Sequence, residues 1–326
     1  MSESALRCLV ISDGRRGIEN QAMGLAEAAA RLRSMRIATH HISHSKTFAA
    51  LPATMQFAMR QTLKGYELSG VTADIAIGCG RQAIAPLRAL KRKYEGTIFT
   101  VYVQDPGTDI AEFDLVVAPE HDKLSGPNVE TMIGSPNRVT EEGILVDTLN
   151  FSQTLLEFPM PRAAMLIGGD SKTRRLTKAI HAKHIETARD LLEKGFSLLI
   201  TPSRRTPAFA LKAYQRLESD YDNVWFHEGG DNPYFAFLGG AEYIFVTEES
   251  TNMLTEACAT GKPVFRLPME GNAGKFDHLY KALEARCGVS HYDGDLDKPD
   301  YPPLRETERI AEQFWAHYDA RTAVMN

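Results

Sequence analysis

The chain has 326 residues, of which 43% are hydrophobic and 24% are charged, and its 37 basic and 42 acidic side chains leave a formal net charge of −5. This composition is typical of a soluble globular protein and excludes intrinsic disorder, a collagen-like chain and a coiled coil, and the mild acidity argues against a general nucleic-acid binder. Because a single core seldom extends past about 250–300 residues, the length predicts two domains.

Short apolar segments alternate with amphipathic ones through the first half of the chain. This alternation predicts a parallel sheet that is covered by helices on both faces. The predicted helix 81–94 has apolar residues at three-residue steps and a basic opposite face, as an amphipathic helix does. Strands are predicted at 7–12, 36–42, 74–78, 98–104, 115–118 and 129–133, and helices at 19–33, 52–68 and 81–94.

The same alternation of apolar and amphipathic segments begins again after two prolines, Pro159 and Pro161. We predict that these prolines mark the linker between the two domains. The predicted fold class is α/β, with two doubly wound Rossmann-like domains, 1–158 and 162–300, facing a cleft, and a C-terminal helix within 301–326. Ligands of such sheets bind beyond the carboxyl ends of the strands, so we expect the site in the cleft. In this half, strands are predicted at 163–167, 197–201, 224–226, 243–246 and 264–267, and helices at 177–194, 208–218, 252–259, 276–285 and 305–321.

The first predicted strand ends in a turn crowded with charged and polar side chains. Asp13 and Gly14 are a turn signal, and the helix that follows presents backbone N–H groups that suit an anion. Arg15 and Arg16 either are only solvated or belong to a loop that faces a substrate. The crowding of polar side chains in one turn favours the second interpretation. The polar residues in question are Arg15, Arg16, Glu19, Asn20 and Gln21.

Histidines near other strand ends of the first half give weaker signals. His121 lies beside Asp122, and such a pair can serve as a general base held by a carboxylate. Neighbours in sequence often point apart, so a purely structural role stays open. His40, His41 and His44 cannot all share one face of a strand, and we expect no metal site there.

Two strand ends in the second half carry groups that suit phosphate. Gly168 and Gly169 follow one strand and lead into a short polar loop, although the spacing is not that of a P-loop. The next strand ends in a Ser-Arg-Arg-Thr run, and arginine forks suit a diphosphate better than they suit a structural role. The ligand contacts predicted in these loops are Gly169, Ser171, Ser203, Arg204 and Arg205.

The strongest signal is the segment 243–271. A strand is followed by the turn Glu248, Glu249 and Ser250, and a helix begins near Thr251. Ser250 or Thr251 is a good N-cap, and the N–H groups at this helix terminus suit a phosphate. Glu256 lies one to two turns further along the same helix.

These motifs together resemble those of a known family. The segment 243–271 is similar to the donor-binding signature of GT-B glycosyltransferases, in which a helix terminus and a glutamate receive the diphosphate and ribose of a sugar nucleotide. The whole chain resembles the mitochondrial-fission factor family known from plants, which also has bacterial members. The resemblance spans residues 12–271 and is carried by ISDGRRGIENQ, IGCGRQ, VQDP, FDLVVAPEHD, IGGDSK, TPSRRTP and VTEESTNMLTEACATGKPV.

The resemblance implies a GT-B-type glycosyltransferase that moves a sugar from a nucleotide-activated donor to a cell-envelope glycan or glycolipid. It implies no cofactor beyond this nucleotide-sugar co-substrate and no metal, with a helix dipole and arginines stabilising the leaving diphosphate. The plant members are described as recruiters of a dynamin-like protein. A non-catalytic adaptor at a membrane therefore stays an alternative, and a nucleotide-sugar epimerase is another.

The resemblance also assigns roles to residues. The donor phosphates would be cradled by Ser250, Thr251 and Asn252, and the ribose would be bound by Glu256. The catalytic base would be Glu19 or Asp13, with His121 as a third candidate. Glu249 stands where the family pattern has an aspartate. The remaining assignments are Gly169, Ser171, Ser203, Arg204, Arg205 and Glu249 on the donor side and Arg16, Asn20 and Gln21 on the acceptor side.

The sequence also bears on where the protein resides. No stretch approaches the roughly 18 apolar residues of a spanning helix, and the apolar run 5–11 is too short and too polar for a secretory signal. The four cysteines are far apart in apolar contexts, which favours reduced thiols in a cytoplasmic protein. The basic residues of the predicted helices 52–68 and 81–94 either are solvated or contact the anionic inner face of a membrane. They are Arg60, Lys64, Arg88, Lys91, Arg92 and Lys93.

Overall fold

The structure is a computed structural model, and it describes residues 5–43, 47–48 and 66–325. It divides into two compact units, one formed by Met1–Arg138 with Arg305–Asn326 and the other by Val139–Leu304. The helix predicted over 52–68 lies outside the described residues as far as residue 65, and so do His44, Arg60 and Lys64.

The first unit is built on a parallel sheet. Its strands are β1 (Leu6–Ser12), β2 (Met35–His41), β3 (Ile75–Cys79), β4 (Phe99–Val103), β5 (Leu115–Pro119) and β6 (Val129–Met132). Its described α-helices are α1 (Arg16–Leu32), α2 (Arg81–Lys93) and the C-terminal helix Glu306–Met325. The strand order is β2-β1-β3-β4-β5-β6. The order reverses between β1 and β3, and doubly wound sheets bind ligands at such a reversal.

The second unit repeats this arrangement. Its helices are α3 (Glu141–Asn150), α4 (Ser152–Leu156), α5 (Lys178–Glu193), α6 (Ala208–Asp220), α7 (Tyr234–Gly240), α8 (Thr251–Cys258) and α9 (Phe276–Cys287). Its strands are β7 (Arg162–Ile167), β8 (Arg174–Arg175), β9 (Ser197–Pro202), β10 (Val224–Phe226), β11 (Tyr243–Thr247), β12 (Val264–Leu267), β13 (Glu270–Gly271) and β14 (Ser290–His291). The parallel sheet has the order β10-β9-β7-β11-β12-β14, and β8 pairs with β13 in a separate antiparallel ribbon. The reversal falls between β7 and β11.

The predicted α/β class with two doubly wound sheets is confirmed, and the eleven predicted strands are all present in the sheets. Some helix positions differ from the sequence analysis. Helix α1 begins at Arg16 rather than at residue 19, because Gly14 turns the chain with a φ of +77° immediately after β1. The helices α3 and α4 were not predicted, since four of their large apolar residues face solvent: Leu145, Val146, Leu149 and Leu156.

The division into units also differs from the predicted boundary at 158–162. Residues 139–158 belong to the second unit because α3 packs closely on α7. A Cβ at Gly239 would lie 2.2 Å from the Thr148 Oγ1, so the contact needs glycine there. The guanidinium of Arg162 at the start of β7 donates to the carbonyls of Leu155 and Phe158, which ties α4 to the sheet.

The C-terminal helix, α10 (Glu306–Met325), belongs to the first unit rather than forming a region of its own. Phe314 and Trp315 are buried in the core of that unit, and the Trp315 Nε1–H donates to the carbonyl of Ala29 at 3.0 Å. The Arg33 guanidinium lies 4.7 Å from the Trp315 ring centroid and forms an ion pair with Asp319. This helix therefore covers one face of the first sheet together with α1.

The second unit contains two buried histidines on α5. The Nε2–H of His184 donates to the carbonyl of Pro268 at 2.8 Å, while its Nδ1 has no hydrogen-bond partner among the described residues. His181 packs edge-on against the rings of Tyr214 and Phe209. Burial lowers the pKa of each histidine from 6.5 to about 4, because the charged form is poorly solvated there.

We predict that the Phe314→Ala variant destabilises the first unit by about 3–5 kcal/mol, since it opens a cavity under α10. The chain has two tryptophans, Trp225 and Trp315, one in each unit. Urea unfolding followed by fluorescence in a Trp225→Phe background reports the first unit through Trp315. The control Val324→Ala changes an 88% exposed side chain on the same helix. Equal stability of the two variants would show that α10 is not part of this core.

We predict that the second unit loses stability as the pH falls from 6.5 to 4. In that window the unfolded chain binds protons at His181 and His184 that the folded unit does not bind, so the free energy of unfolding drops with falling pH, by up to about 3 kcal/mol for each histidine. The variant His181→Phe should flatten this dependence. Urea unfolding at each pH, followed by Trp225 fluorescence in a Trp315→Phe background, measures the free energy of unfolding of the second unit. A slope for His181→Phe as steep as that of the parent would contradict the prediction.

Candidate functional site

The carboxyl ends of β7 and β11 meet at the strand reversal of the second unit, and their loops interlock there. The N–H of Gly168 donates to Thr247 Oγ1 at 2.7 Å, and the N–H of Gly169 donates to Glu249 Oε1 at 2.7 Å. A Cβ at Gly168 would lie 1.7 Å from that Glu249 oxygen, and one at Gly169 would lie 2.0 Å from the carbonyl of Arg205. Both glycines are therefore required for the backbone to approach this closely.

Glu249 is the most deeply buried charged group of this edge, with 1% of its side chain exposed. Its Oε1 accepts from Gly169 and lies 3.3 Å from the Nη2 of Arg205, whereas its Oε2 has no hydrogen-bond partner among the described residues. Burial raises the pKa of Glu249, and the Gly169 N–H and the Arg205 charge oppose that rise.

The loop after β9 is held against the loop after β7. The hydroxyl of Thr206 donates to the carbonyl of Gly168 at 2.6 Å, and the Nη1 of Arg205 donates to the carbonyls of Gly169 and Asp170. The Ser203 hydroxyl accepts from the N–H of Arg205 at 3.2 Å and so shapes its own loop. Both predicted diphosphate ligands are exposed, and Arg205 is committed to this framework.

Glu248, which the sequence analysis did not single out, is the centre of a buried charge cluster. One of its oxygens accepts from the Nη1 of Arg174 at 2.6 Å and from the N–H of Met269 at 2.8 Å. The other oxygen lies 3.7 Å from both the Nη1 of Arg266 and the Nε2 of His291. The carboxylate therefore ties the β8–β13 ribbon and the end of β12 to the end of β11. The signal that could have revealed it is a charged residue directly after a buried strand.

The N-terminus of α8 lies next to these loops in sequence. Ser250 is the N-cap residue but makes no side-chain capping bond, and Ser250, Thr251 and Asn252 are half-buried. One turn further along, the predicted ribose ligand Glu256 accepts a hydrogen bond from the Tyr234 hydroxyl at 2.6 Å. Burial raises the pKa of Glu256, and the bond from Tyr234 opposes that rise. The sequence analysis missed Tyr234, which orients this carboxylate.

Ser171 holds its own loop together. Its hydroxyl accepts from the N–H groups of Thr173 and Arg174, and its N–H donates to the carbonyl of Arg174 at 2.9 Å. The residue therefore shapes the turn that leads into β8. The neighbouring Arg175 keeps 72% of its side chain exposed and pairs with Asp170 at 3.5 Å.

The carboxyl end of β1, at the strand reversal of the first unit, brings together a second set of residues. The Ser12 hydroxyl donates to Glu19 Oε2, and His41 Nε2 lies 3.0 Å from the same oxygen. Asp13 is paired with Arg15 at 2.6 Å and keeps 3% of its side chain exposed. The predicted base candidates Glu19 and Asp13 thus lie in one turn, but only Glu19 is partly open, with 27% of its side chain exposed.

The other acceptor-side and base candidates are distributed differently. Arg16 is exposed and Asn20 is half-buried on the first turns of α1. Gln21 is buried, and its side-chain oxygen accepts from Gln104 Nε2 at 3.1 Å and from the Cys79 thiol, so it fastens α1 to β3 and β4. His121 follows β5, three strand spacings or about 14 Å from β1. It lies 3.8 Å from Asp122 with 6% of its side chain exposed.

Two of the four basic residues predicted on α2 are paired with acidic groups, while Arg92 and Lys93 are exposed. Arg88 forms a two-point hydrogen bond with the Glu112 carboxylate, and Lys91 lies 3.0 Å from Asp114. These two ion pairs lower the positive charge that the helix face would present to an anionic membrane. In the part of the chain that the structure describes, no helix combines the length and apolarity needed to cross a bilayer.

Aspartates at alternate positions occur in two stretches, Asp220–Asp222 and Asp293–Asp297. In the second stretch, the carboxylates of Asp293 and Asp295 accept from the N–H two residues further on, at 3.2 and 2.9 Å. Within residues 5–43, 47–48 and 66–325, no three His, Cys, Asp or Glu side chains are grouped so that they could hold a metal. A metal-independent reaction stays a prediction.

Comparison with known proteins identifies relatives at the level of sequence. The family model described as Mitochondrial fission ELM1 matches residues 16–318. The mitochondrial fission protein ELM1 of Arabidopsis thaliana is 25% identical over 289 residues. That match covers 80% of this chain and 66% of the plant protein, so the chain spans about two thirds of the length of this relative.

Solved structures show the same fold at low sequence identity. The UDP-GlcNAc 2-epimerase of Neisseria meningitidis, solved bound to UDP-GlcNAc, has a TM-score of 0.53 and 12% identity over 97% of this chain and 93% of that one. A UDP-glucosyltransferase from Polygonum tinctorium has a TM-score of 0.50 and 12% identity over 100% and 96% of the two chains. The fold is thus the one shared by GT-B glycosyltransferases and UDP-sugar epimerases.

We predict that Glu248→Gln destabilises the second unit by about 3–5 kcal/mol, because Arg174 and Arg266 then lose their buried counter-charge. Urea unfolding followed by Trp225 fluorescence in the Trp315→Phe background measures the change. Glu186→Gln, on the exposed face of α5, should stay within about 0.5 kcal/mol of the parent. A Glu248→Gln variant as stable as this control would mean that the carboxylate does not hold the loops together.

Proposed function

The chain belongs to the mitochondrial fission ELM1 family, and from this premise we propose that it is a glycosyltransferase that takes its sugar from a nucleotide-activated donor. The observation that carries the proposal is the carboxyl edge of the second unit. Glu249 and the backbone of Gly168 and Gly169 are interlocked there with Arg205, directly before the N-terminus of α8. The interlocked loops hold the N-terminus of α8 and the exposed Arg204 at one sheet edge, and a helix terminus with a nearby arginine suits a diphosphate.

Each part of this edge has a chemical role in the proposal. Arg204, which is exposed, would pair with the diphosphate, and Ser250, Thr251 and Asn252 would bring the dipole of α8 to it. Glu256, oriented by Tyr234, would accept from the ribose hydroxyls. The leaving diphosphate would be stabilised by these fixed donors, which keep their places during the reaction.

The fold comparison supports the donor class. One structure of the same fold was solved with UDP-GlcNAc bound, and another is a UDP-glucosyltransferase. A nucleotide sugar is therefore the ligand to test first. The acceptor that the family resemblance implies, an envelope glycan or glycolipid, belongs to the same proposal and would be met by the first unit.

Of the three base candidates, Asp13 and His121 are the less suitable. The side chain of Asp13 is 3% exposed and is bound to Arg15, while His121 is 6% exposed and lies three strands from β1. Glu19 is more open and stands at the strand reversal. We assign the acceptor-activating group to this turn.

A panel of nucleotide sugars and free nucleotides tests the proposal by thermal shift. A ligand at a hundredfold excess over its dissociation constant adds about 2.7 kcal/mol to the free energy of unfolding, which a melting curve detects. We expect stabilisation by at least one nucleotide sugar and by its nucleoside diphosphate. A panel without any stabilising member would contradict the proposal and favour a non-catalytic adaptor. Isomerised nucleotide sugar in the absence of any acceptor would instead identify an epimerase.

We predict that Arg204→Ala weakens binding of the nucleoside diphosphate by about 10–100-fold, because one charge-assisted hydrogen bond is worth about 1.5–3 kcal/mol. Calorimetric titration measures the affinity, and the unliganded melting temperature should stay unchanged since the side chain is exposed. The matched control is Arg216→Ala, an arginine on α6 that is 83% exposed. If both variants bind as tightly as the parent, Arg204 is not a phosphate ligand.

A further inference from the structure

The two cysteines of the second unit end two helices that pack against each other. Cys258 is the last residue of α8, and Cys287 is the last residue of α9. Both are buried, with exposed fractions of 0% and 2%, and their thiols are hydrogen-bonded to each other. They form a buried dithiol that the proposed donor site does not use.

A single stretch of the second unit, the strap 299–304, contacts the ends of both helices. On the α8 side, the N–H of Leu304 donates to the carbonyl of Cys258 at 3.1 Å. On the α9 side, the guanidinium of Arg286 donates to the carbonyl of Pro302 at 3.5 Å. Because one short strap is bonded to both helix ends, it fixes the ends relative to each other.

The same strap packs on the turn that follows each helix. A Cβ at Gly261, after α8, would lie 3.0 Å from the Cγ of Pro303. A Cβ at Gly288, after α9, would lie 3.4 Å from the Cγ of Pro299. Prolines of the strap thus lie directly on both turns, and the two thiols are held together before any covalent bond joins them.

The two thiols differ in how readily they lose a proton. Burial raises the pKa of Cys258, although the Tyr301 hydroxyl opposes that rise, so this thiol keeps its proton and donates it to its neighbour. The hydrogen bond from Cys258 lowers the pKa of Cys287 against the effect of burial, and the charge of Arg286 acts in the same direction. Since the thiolate is the form that an oxidant attacks, Cys287 is the thiol that reacts first.

We propose that Cys258 and Cys287 are a modification site, a dithiol that hydrogen peroxide converts into a reversible disulfide with both helix ends in place. The thiolate of Cys287 attacks one peroxide oxygen, the O–O bond breaks, and the departing hydroxide takes up a proton to become water. The thiol of Cys258 then attacks the sulfur of the resulting sulfenic acid. The S–S bond forms, the S–O bond breaks, and the second oxygen leaves as water with the proton of Cys258. The two sulfurs lose two electrons, and the peroxide gains them.

This inference does not rest on the proposed function. A reduced dithiol is the expected resting form in a reducing compartment, where protein disulfides form transiently. The burial of both sulfurs restricts the reaction to a small oxidant, which is the reason to name a peroxide. Because α8 also carries Glu256, the disulfide would tie the helix of the proposed ribose ligand to α9.

The other two cysteines of the chain are internal controls. Cys8 and Cys79 are each 2% exposed, so they are buried as deeply as Cys287. They cannot reach each other, because Cys8 lies opposite Ile75 in the register of β1 with β3, and Cys79 lies about 13 Å further along β3.

The direct test treats the reduced full-length chain with hydrogen peroxide under native conditions, then unfolds and alkylates it and maps its peptides by mass spectrometry. We expect one pair of peptides that is joined through Cys258 and Cys287 and that dithiothreitol separates, with Cys8 and Cys79 alkylated. Four alkylated cysteines, or a Cys287 oxidised to sulfinic acid without joining Cys258, would overturn the inference. A joined pair that forms only in urea would contradict it as well.

The melting temperature is a second readout. A bond between Cys258 and Cys287 closes a loop in the unfolded chain, so we expect the oxidised chain to melt about 5–10 °C above the reduced one. Dithiothreitol should reverse this rise, and peroxide-treated Cys258→Ala should not show it. If the disulfide-bonded parent melts at or below the temperature of the reduced parent, the helix ends are not in place for the bond and the inference fails.

Discussion

Two adjacent carboxylates at the end of β11 organise the carboxyl edge of the second unit. Glu248 turns to Arg174, Arg266 and the backbone of Met269, and Glu249 turns to the backbone of Gly169 and to Arg205. Consecutive residues at a strand end point to opposite sides, and each side here meets basic groups from a different pair of loops. The loops after β7, β9 and β12 are therefore fixed relative to one strand end, and the proposed donor site depends on this arrangement.

The two units use the same position in the sheet for different chemistry. In both, a carboxylate stands at the strand reversal, but Glu249 is 1% exposed and Glu19 is 27% exposed. A carboxylate that is buried and bonded to the backbone of Gly169 and to Arg205 is suited to fixing the loops around it. The half-open carboxylate of Glu19 is accessible to a ligand. The doubly wound sheet supplies the position, and the depth of burial decides the role.

The sequence predicted the fold well because apolar strands and amphipathic helices have distinct periodicities. It also located Glu249, Arg205 and Glu19 at the correct strand ends. It could not separate Arg204 from Arg205, since both follow β9 and only packing shows that Arg205 is committed to the loop framework. The role of Glu248 depends on Arg174, which is 74 residues away in the chain. The packing of α10 on the first unit joins residues that are still further apart in the chain, such as Trp315 and Ala29. A local sequence pattern cannot predict such a contact.

The buried charges bear on whether the chain is an enzyme or only an adaptor. Removing a carboxylate from water costs several kcal/mol, and an apolar side chain of the same size would often stabilise the fold as well or better. The raised pKa values of Glu249 and Glu256 have burial as their largest cause, so both groups are costly where they stand. An adaptor that used only the outer surfaces of the units would gain nothing from that cost. A protein that binds a phosphorylated, hydroxyl-rich ligand at the carboxyl edge of the second sheet would gain binding and orientation from it, and this is the physical reason to place a nucleotide-sugar reaction before a purely structural role.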